Sequence, residues 1–495
     1  MKIETHIPAK ISALAVSVAF ALSSGAMTVW PDYFSVTVPP NIAPLNFEVG
    51  GCPPGAKVEA VMTGAGSSRL AAEGPEILWN DDAWRGFLAE NKGGKYEISL
   101  VISTNGVALS ALVATNVVSE SPIDSHLTYR LIPPSYTGFS EMGTYLRCLE
   151  NFEERPIYRN VQADFSQCVN CHTHNAASPS NYLFHTRAYK GGTTIVSPRY
   201  GKFKVDLKAD GFVSAGVYPA WHPSGDFVAF SLNETRQSFF AVNPEKIEVM
   251  DLQSDLILYS LADNKIKVVE MDPEVFECFP AWSPDGTALF TVRAITPFKD
   301  KSESEAVRGD RVFNSATNIF YDLAVRPFDA RKRTFGAPET IFDGRALKKS
   351  VIHPRVSPDG RWLVAAIASH GVFHIWHRDS DLYIFDFEKK SIRPLAELNS
   401  AESESYHTFS SSGEWMVFSS RRDDGTYTRP YFAKFDKENG TFSKPFLLPA
   451  KRPRDHWRRM KSYNIPEFSA GPVAESASEL RDIVDSEPRK AVVEE

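Results

Sequence analysis

The chain has 495 residues, more than one ordinary hydrophobic core accommodates, so two or three domains are expected. Charged residues make up 23% and hydrophobic residues 43% of the sequence, which is typical of globular proteins, and the net charge of -7 argues against a nucleic acid as partner. The aromatic content of 12%, with 33 Pro and 29 Gly, favours many short strands joined by turns.

Residues 1–26 have the pattern of a secretory signal peptide. Two lysines precede an apolar run of about 12 residues, and four small residues, Ser23 to Ala26, follow it. The run is shorter than the roughly 20 residues of a comfortable membrane-spanning helix. We therefore expect cleavage after Ala26 and export to the periplasm. The alternative is an uncleaved segment that tethers the protein to the membrane, because Met27 to Trp30 would extend the apolar stretch.

The next part of the chain, residues 30–125, carries strands with partial alternation of apolar and polar residues. The clearest are Phe34–Val38, Tyr96–Ile102 and Val107–Val118, separated by glycine-rich turns. Alternation of this kind is typical of strands with one buried face. The pattern predicts a small β-sandwich.

Residues 126–187 form a polar linking segment with one predicted helix, Glu141 to Asn151, and the motif Cys168-Val-Asn-Cys-His172. Two thiols at this spacing can each form a thioether with one haem vinyl group, and the following imidazole can then bind the iron. The motif predicts one covalent haem c, attached through Cys168 and Cys171, with His172 as the proximal iron ligand.

The sixth iron ligand is less clearly indicated. We favour His185, 13 residues beyond His172, because the preceding Tyr182 to Phe184 would bring it onto an apolar haem edge. The alternative is a core histidine with satisfied hydrogen bonds. Methionine is the common distal ligand of soluble electron carriers, but none occurs between His172 and Met250. Further candidates are Met142, His126 and His222.

Zinc is the competing interpretation of the same cluster. Cys168, Cys171, either His172 or His174, and a fourth group would complete a tetrahedral site, although the second cysteine pair of a zinc ribbon is absent. A disulfide between the two cysteines is a further alternative. Cys52, Cys148 and Cys278 remain outside the motif, an odd number, so at least one of them should be a free thiol.

The region 188–465 contains an internal repeat. Four segments align without gaps and end in the same tight turn: Tyr218-Pro-Ala-Trp-His-Pro-Ser-Gly225, Phe279-Pro-Ala-Trp-Ser-Pro-Asp-Gly286, His353-Pro-Arg-Val-Ser-Pro-Asp-Gly360 and Tyr406-His-Thr-Phe-Ser-Ser-Ser-Gly413. Each glycine precedes an apolar strand, so the repeat predicts a β-propeller with room for about six blades. A plain β-sandwich is the alternative. We expect the repeat tryptophans to be buried: Trp221, Trp282, Trp362 and Trp415.

These segments resemble the WD40-like repeats of the TolB-like propeller family, although Ser411 and Ser412 replace Pro and Asp in the fourth repeat. The whole layout is similar to exported TolB-like propeller proteins with a single haem motif from Bacteroidetes-type bacteria. That second resemblance rests on Pro39-Pro-Asn-Ile-Ala-Pro-Leu-Asn46, Glu150-Asn-Phe152, Cys168-Val-Asn-Cys-His172, Phe184-His-Thr-Arg187, Gly191-Gly-Thr193 and Tyr218-Pro-Ala-Trp-His-Pro-Ser-Gly225. It implies the architecture rather than an activity.

The final residues, 466–495, are acidic and lack an apolar period, which predicts a disordered tail. The fold class expected for the whole chain is mainly β: a small sandwich, a short haem-binding segment and a propeller.

The function that the sequence favours is that of a periplasmic monohaem c-type cytochrome. The haem would transfer single electrons, and the propeller would dock periplasmic redox or envelope proteins. One alternative is a binding scaffold in which the haem is structural, and another is a haem enzyme or sensor with an open sixth site. No small-molecule substrate is indicated, and the Gly-x-Ser-x-Gly and His-Glu-x-x-His motifs of hydrolases are absent.

Overall fold

A computed structural model describes residues 27–134, 141–160, 167–240, 247–298 and 303–494. The predicted signal segment, residues 1–26, lies outside the described residues. Within those ranges, none of the helices has both the length and the apolar character needed to cross a membrane.

The first eight strands of the described chain and one helix form an N-terminal domain of two sheets. They are β1 (Thr28–Trp30), β2 (Thr37–Val38), β3 (Phe47–Gly50), β4 (Lys57–Thr63), β5 (Arg69–Glu73), β6 (Glu76–Ile77), α1 (Asp81–Glu90), β7 (Lys95–Thr104) and β8 (Val107–Val118). The strand orders are β1-β3-β6 and β2-β8-β7-β4-β5. Alternate residues of β7, from Tyr96 to Ile102, are buried in a core that both sheets share. This is the small β-sandwich that the alternation predicts.

Six further sheets among the described residues are the blades of a β-propeller. Blade 1 contains β12 (Cys168–His174), β13 (Tyr182–Arg187), β14 (Gly192–Ser197) and β15 (Gly201–Asp206), and blade 2 contains β16 (Val217–Trp221), β17 (Phe227–Phe239), β18 (Ile247–Ser260) and β19 (Lys265–Glu270). Blade 3 contains β20 (Val275–Trp282), β21 (Ala288–Ile295), β22 (Asp322–Asp329), β23 (Thr334–Phe335) and β24 (Glu339–Phe342), and blade 4 contains β25 (Ser350–Val356), β26 (Trp362–Ala368), β27 (Asp381–Asp386) and β28 (Ser391–Pro394). Blade 5 contains β29 (Glu404–Phe409), β30 (Trp415–Ser420), β31 (Arg429–Asp436), β32 (Thr441–Phe442) and β33 (Phe446–Leu447).

Blade 6 closes the ring with strands from the two ends of the propeller. Its order is β11-β10-β9-β34, formed by β9 (His126–Ile132), β10 (Gly143–Cys148), β11 (Glu154–Arg159) and β34 (Ser462–Ser469). The inner strand of each blade contacts the next, and β34 contacts both β29 and β12. A closed ring leaves only short, protected strand edges. The propeller therefore starts at residue 126, not at residue 188.

The predicted separate haem-binding segment, residues 126–187, is thus wrong as a unit. Its described residues are strands of blades 6 and 1. The predicted helix from Glu141 to Asn151 is also wrong, because β10 lies there and pairs with both β9 and β11. Hydrogen bonding on both edges of β10 outweighs the local pattern, which is polar and weakly helical.

The prediction of a disordered tail at 466–495 is wrong as well. The tail completes β34 and continues as α5 (Ala477–Asp485), β35 (Arg489–Lys490) and β36 (Val492–Val493). Leu480 and Val484 of α5 are fully buried against blades 6 and 1. The short strands β35 and β36 pair with the outer edges of blades 1 and 2. This covering protects strand edges that would otherwise be open to solvent.

The remaining helices are short insertions into the propeller: α2 (Glu305–Ser315), α3 (Gly344–Leu347) and α4 (Asp455–Arg459). The repeat tryptophans are buried as predicted: Trp221, Trp282, Trp362 and Trp415. Trp221 and Trp282 donate their indole N–H to the backbone of the preceding blade, at Thr173 and Ala220 respectively. The repeat is therefore the core of the propeller, in which each blade is linked to its neighbour.

Each inner strand contains a β-bulge at the same position. The bulge residues have positive φ angles between 30° and 52°, and they are Cys171, Tyr218, Phe279, His353, Tyr406 and Ile465. A bulge inserts one extra residue into a strand and redirects the side chains around it. We call these six residues the bulge ring.

Candidate functional site

The haem motif lies on β12, the inner strand of blade 1. Cys171 is the blade 1 member of the bulge ring, and His172 occupies the position that follows it. The corresponding residues in blades 2 to 6 are Pro219, Pro280, Pro354, His407 and Pro466. The motif therefore replaces the aromatic-proline pair of the repeat with Cys-His.

The bulge ring narrows the central channel. The rings of Tyr218 and Phe279, of Phe279 and His353, and of His353 and Tyr406 have centroids 4.4 Å apart in each pair. This run of four aromatic rings in contact is flanked by the two non-aromatic members of the bulge ring, Ile465 beside Tyr406 and Cys171 beside Tyr218. A cavity of only about 30 Å³ remains at the level of the ring.

A much larger cavity, of about 660 Å³, lies at the end of the channel where the inner strands begin. We call it the upper cavity. Cys171, Tyr218, Tyr406 and Ile465 of the bulge ring border it. Blade 1 contributes a wall that consists of Cys168, Asn170, His185 and Arg187. The volume falls within the roughly 300–1,000 Å³ of small-molecule and cofactor sites.

Both cysteines of the motif border the upper cavity. In a regular strand, residues three positions apart point to opposite faces, but the bulge at Cys171 shifts the register between Asn170 and His172. Cys168 is half-buried, with its Sγ 3.6 Å from Met142 Sδ, and Cys171 is 2% exposed. All five cysteines are unpaired in this structure, Cys168 and Cys171 included. Burial raises the pKa of the Cys168 thiol.

His172 lies below the upper cavity, in the narrow part of the channel. Its imidazole is 4% exposed, and neither ring nitrogen has a hydrogen-bond partner among the described residues. The backbones of Thr128 and Ile465 lie beside the ring, but without normal hydrogen-bond geometry. Burial, followed by the charges of His174 and Arg130, lowers the pKa of His172 to about 3. The ring is therefore neutral, as an iron ligand must be.

His185 lies on β13 and borders the upper cavity. Its Nδ1 lies 3.1 Å from Thr193 Oγ1, which orients the ring and leaves Nε2 for another partner. Burial, with a contribution from Arg187, lowers the pKa of His185 to about 3, so this ring is neutral too. Cys171 borders both cavities, while of the two histidines only His185 borders the upper one.

The other candidate metal ligands from the sequence differ in their surroundings. Met142 borders the upper cavity beside Cys168. His174 uses both ring nitrogens, with Thr128 Oγ1 and the Ser178 carbonyl each 2.9 Å away. These bonds favour a structural role and remove His174 from the proposed zinc set.

His222 and His126 do not border the upper cavity. The ring nitrogens of His222 lie 2.8 Å from Ser224 Oγ and 3.0 Å from the Gly286 carbonyl. His126 Nδ1 lies 2.8 Å from the hydroxyl of Ser125. Both are best explained as structural histidines.

Basic side chains outnumber acidic ones in the lining of the upper cavity. Arg130, Arg187 and Lys208 contribute to it, and Asp206 is the one carboxylate among its described lining residues. Arg130 donates to the side chains of Asn170 and Asn464, at 3.1 Å to the latter, which holds it between blades 1 and 6. A cluster of this kind favours an anionic ligand such as a carboxylate.

Sequence reasoning missed that β12 and β34 belong to the repeat. A signal for β34 is visible in the chain, because Ile465-Pro-Glu-Phe-Ser469 shares its Phe-Ser with Tyr406-His-Thr-Phe-Ser410 and its Pro with the other repeats. Blade 1 lacks this Pro and this Phe-Ser after Cys171, and its weak sequence signal is His172-Thr173, which matches His407-Thr408 of the fourth repeat.

Comparison with known proteins assigns the chain to no family. No protein-family model and no curated protein matches the chain. Similar solved structures include TolB from Acinetobacter baumannii, with 12% identity over 75% of this chain and 79% of that chain and a TM-score of 0.43. An oligogalacturonate lyase in complex with manganese has 13% identity over 65% and 72% and a TM-score of 0.37. A puromycin-hydrolysing peptidase from Mycobacterium tuberculosis has 14% identity over 65% and 45% and a TM-score of 0.36.

Proposed function

We propose that the protein is a monohaem c-type cytochrome of the periplasm, with one haem c in the upper cavity, and that it transfers single electrons. The observation that carries this proposal is that both cysteines of the motif border one cavity of cofactor size. The thiol S–H of Cys168 and of Cys171 would each add across one vinyl C=C. Each addition forms a C–S bond and a C–H bond and needs no oxidant. Iron in the bound haem supplies the one-electron chemistry.

Other described residues support the proposal, because they offer candidate iron ligands and basic partners for the haem propionates. His172, below Cys171, is neutral and has two unpaired ring nitrogens, so it is the imidazole that we assign as proximal ligand. His185, on the wall of the upper cavity, is the distal candidate, and Met142 is its competitor. Arg130 and Arg187 would compensate the propionates. Burial lowers the pKa of both imidazoles to about 3, so each ring is neutral at neutral pH.

The position of the upper cavity suggests where a partner protein would dock. It lies at one mouth of the channel, where loops from blades 1, 2, 4 and 6 meet. We propose that periplasmic redox or envelope proteins dock at this mouth. The basic residues Arg187 and Lys208 favour an acidic partner surface there.

The test is the absorption spectrum of the exported protein, oxidised and reduced, with and without carbon monoxide. Two neutral imidazoles on the iron predict a low-spin haem that binds carbon monoxide poorly. His185→Ala should convert it to a high-spin haem that binds carbon monoxide readily. His222→Ala is the matched control, because His222 is a buried histidine outside the upper cavity, and its spectrum should be that of the wild type.

Three other results have distinct meanings. Rapid carbon monoxide binding by the wild type contradicts the closed carrier and favours an enzyme or sensor. A low-spin haem that cannot be reduced and reoxidised reversibly favours a scaffold with structural haem. A wild type that carries no haem, and whose zinc content by elemental analysis falls when Cys168 and Cys171 are both replaced by Ala, contradicts the proposal altogether.

A further inference from the structure

Three side chains outside the haem motif converge at one point of the propeller. They are Glu248, His370 and His377, and one potential ligand atom from each lies within 4.8 Å of the other two. Glu248 is the second residue of β18 in blade 2. The two histidines lie in the connection between β26 and β27 of blade 4, on either side of the 3₁₀ turn His374–Trp376. The cluster therefore joins blades 2 and 4.

The contacts within the cluster leave several ligand atoms unused. Glu248 Oε2 lies 2.8 Å from His377 Nε2 and 4.0 Å from His370 Nε2. Glu248 Oε1 and His377 Nδ1 are buried and have no hydrogen-bond partner within the described ranges. Ser369 Oγ lies 2.9 Å from His370 Nδ1, which fixes that ring with Nε2 toward Glu248. Unpaired buried polar atoms are uncommon and call for an explanation such as a bound ion.

The backbone approaches the cluster closely at Gly371. This residue has a φ of 81°, and a Cβ on it would lie 3.1 Å from Glu248 Oε1 and 3.4 Å from His377 Cε1. Glycine thus permits both the left-handed backbone and the short distance between the chain and the carboxylate. An alanine there would crowd the space beside the carboxylate.

We propose that Glu248, His370 and His377 bind a divalent transition-metal ion, with zinc as the preferred ion. Two imidazoles and one carboxylate are ligands that zinc readily accepts, and three protein ligands leave one position for water or another ligand. The hydrogen bond between Ser369 and His370 Nδ1 is the kind of outer contact that orients a metal-binding imidazole. The competing explanation is a metal-free ion pair between Glu248 and His377.

The position of the site connects it to the upper cavity. Val249, next to Glu248, and Phe373, between the two histidines, both border that cavity. An ion on this cluster would tie the long β17–β18 hairpin to the blade 4 connection. It would thereby fix two walls of the upper cavity without using either thiol of the haem motif.

The test is zinc binding to full-length protein that carries Cys168→Ala and Cys171→Ala, so that the motif cannot supply ligands. After dialysis against a chelator, isothermal titration should show one zinc ion per chain. Cobalt should give the visible absorption of a tetrahedral site. Glu248→Gln and His377→Ala should each weaken binding by about 100-fold or more, and Gly371→Ala by about 10-fold. His222→Gln, a buried histidine outside the cluster, is the control and should bind as the parent protein does.

Two results would overturn the proposal. One is that the parent protein binds no zinc at micromolar concentration, which favours the metal-free ion pair and needs no variant to fold. The other is that binding is unchanged in folded Glu248→Gln and His377→Ala, which places the ion elsewhere. Neither result bears on the haem proposal, because the thiols are absent from the protein tested.

Discussion

The inner strands of blades 1 and 2 follow the same backbone course but carry different chemistry. Both have a bulge with positive φ, at Cys171 and at Tyr218. Tyr218 contacts the tilted ring of Phe279 and belongs to the aromatic part of the bulge ring. Cys171 has no aromatic ring and borders the upper cavity. The pairing of each inner strand with its neighbour sets the bulge, so the side chain at that position is free to serve either packing or chemistry.

Blades 1 and 5 provide an even closer comparison. His172 and His407 occupy the same position, one residue after the bulge, and both are buried. His407 Nε2 lies 2.8 Å from the Val364 carbonyl, whereas neither nitrogen of His172 has a partner in the described structure. The same residue is thus structural in one blade and available as a ligand in the other.

The largest expected effect comes from removing these two histidines in turn. His172→Ala should leave thioether formation possible but remove the proximal ligand, which gives a high-spin, unstable haem protein. His407→Ala should keep the wild-type spectrum and lower the free energy of unfolding by about 1–3 kcal/mol, because the Val364 carbonyl loses its donor. Absorption spectra and urea denaturation measure both effects. An unchanged low-spin spectrum for His172→Ala would show that His172 does not bind the iron.

The next effect concerns the residue three positions after the bulge, which is Trp282 in blade 3 and His174 in blade 1. Trp282 is buried and donates to the Ala220 carbonyl of blade 2. Trp282→Ala should lower the free energy of unfolding by about 3–5 kcal/mol. Chemical denaturation measures this change in the free energy of unfolding. Trp457→Ala is the control, because Trp457 is 41% exposed. A loss well below 1 kcal/mol at Trp282 would mean that the repeat is not the core.

A smaller effect is expected from the C-terminal helix behind blades 6 and 1. Leu480 is fully buried with Val169 and Phe184 of blade 1. Leu480→Ala should cost about 2–4 kcal/mol in unfolding free energy. Arg481→Ala, the next residue and half-buried, should cost much less. Equal, negligible costs for both would support the disordered tail that the composition suggests.

The smallest effect is the pH dependence of the structural histidines. Burial lowers the pKa of His407 and of His456 to about 3, while an unfolded imidazole titrates near 6.5. The unfolded chain therefore binds more protons below pH 6.5, and stability falls as the pH falls from 6.5 toward 3. Each imidazole should contribute a loss of about 2 kcal/mol between pH 7 and pH 5.

His456→Gln isolates this contribution. Urea midpoints of the variant should fall less between pH 7 and pH 5 than those of the wild type. The difference between the two proteins removes the effect of Glu467, whose pKa is raised by burial to about 7 and which acts with the opposite sign. If the urea midpoints of the two proteins fell by the same amount between pH 7 and pH 5, His456 would not be held neutral in the folded protein.

Most of the fold could be predicted from the chain because its signals are local. The Pro-Ser-Gly and Pro-Asp-Gly turns and the apolar strands after them mark blades 2 to 4, and alternation marks β7 and β8. Blade 6 was missed because β34 pairs with a strand more than 300 residues away, for example Tyr463 with Leu131. Blade 1 was missed although β12 to β15 pair in chain order, because its inner strand carries Cys-His in place of the aromatic-proline pair of the repeat. The tail was missed for a related reason. Its apolar residues Leu480, Ile483 and Val484 are few, and they gain stability only against surfaces that blades 6 and 1 provide.

The candidate site also has one part that could be predicted from the sequence and other parts that could not. The spacing of Cys168, Cys171 and His172 is that of a haem c attachment motif and can be read directly from the sequence. The cavity that both thiols border depends on the bulge at Cys171 and on Met142 and Arg130 of blade 6. The cluster of Glu248, His370 and His377 had only a weak signal, three of the twelve histidines within residues 370–377, and its carboxylate comes from another blade.

The central claim is that the two thiols of blade 1 hold a haem, and intact mass after acid-acetone extraction tests it most directly. The protein is exported from a host competent for cytochrome c maturation, together with the Cys168→Ala, Cys171→Ala variant. The account predicts the added mass of one haem on the wild type and none on the variant. A wild-type chain without that added mass, from a host that loads a control cytochrome, would contradict the account.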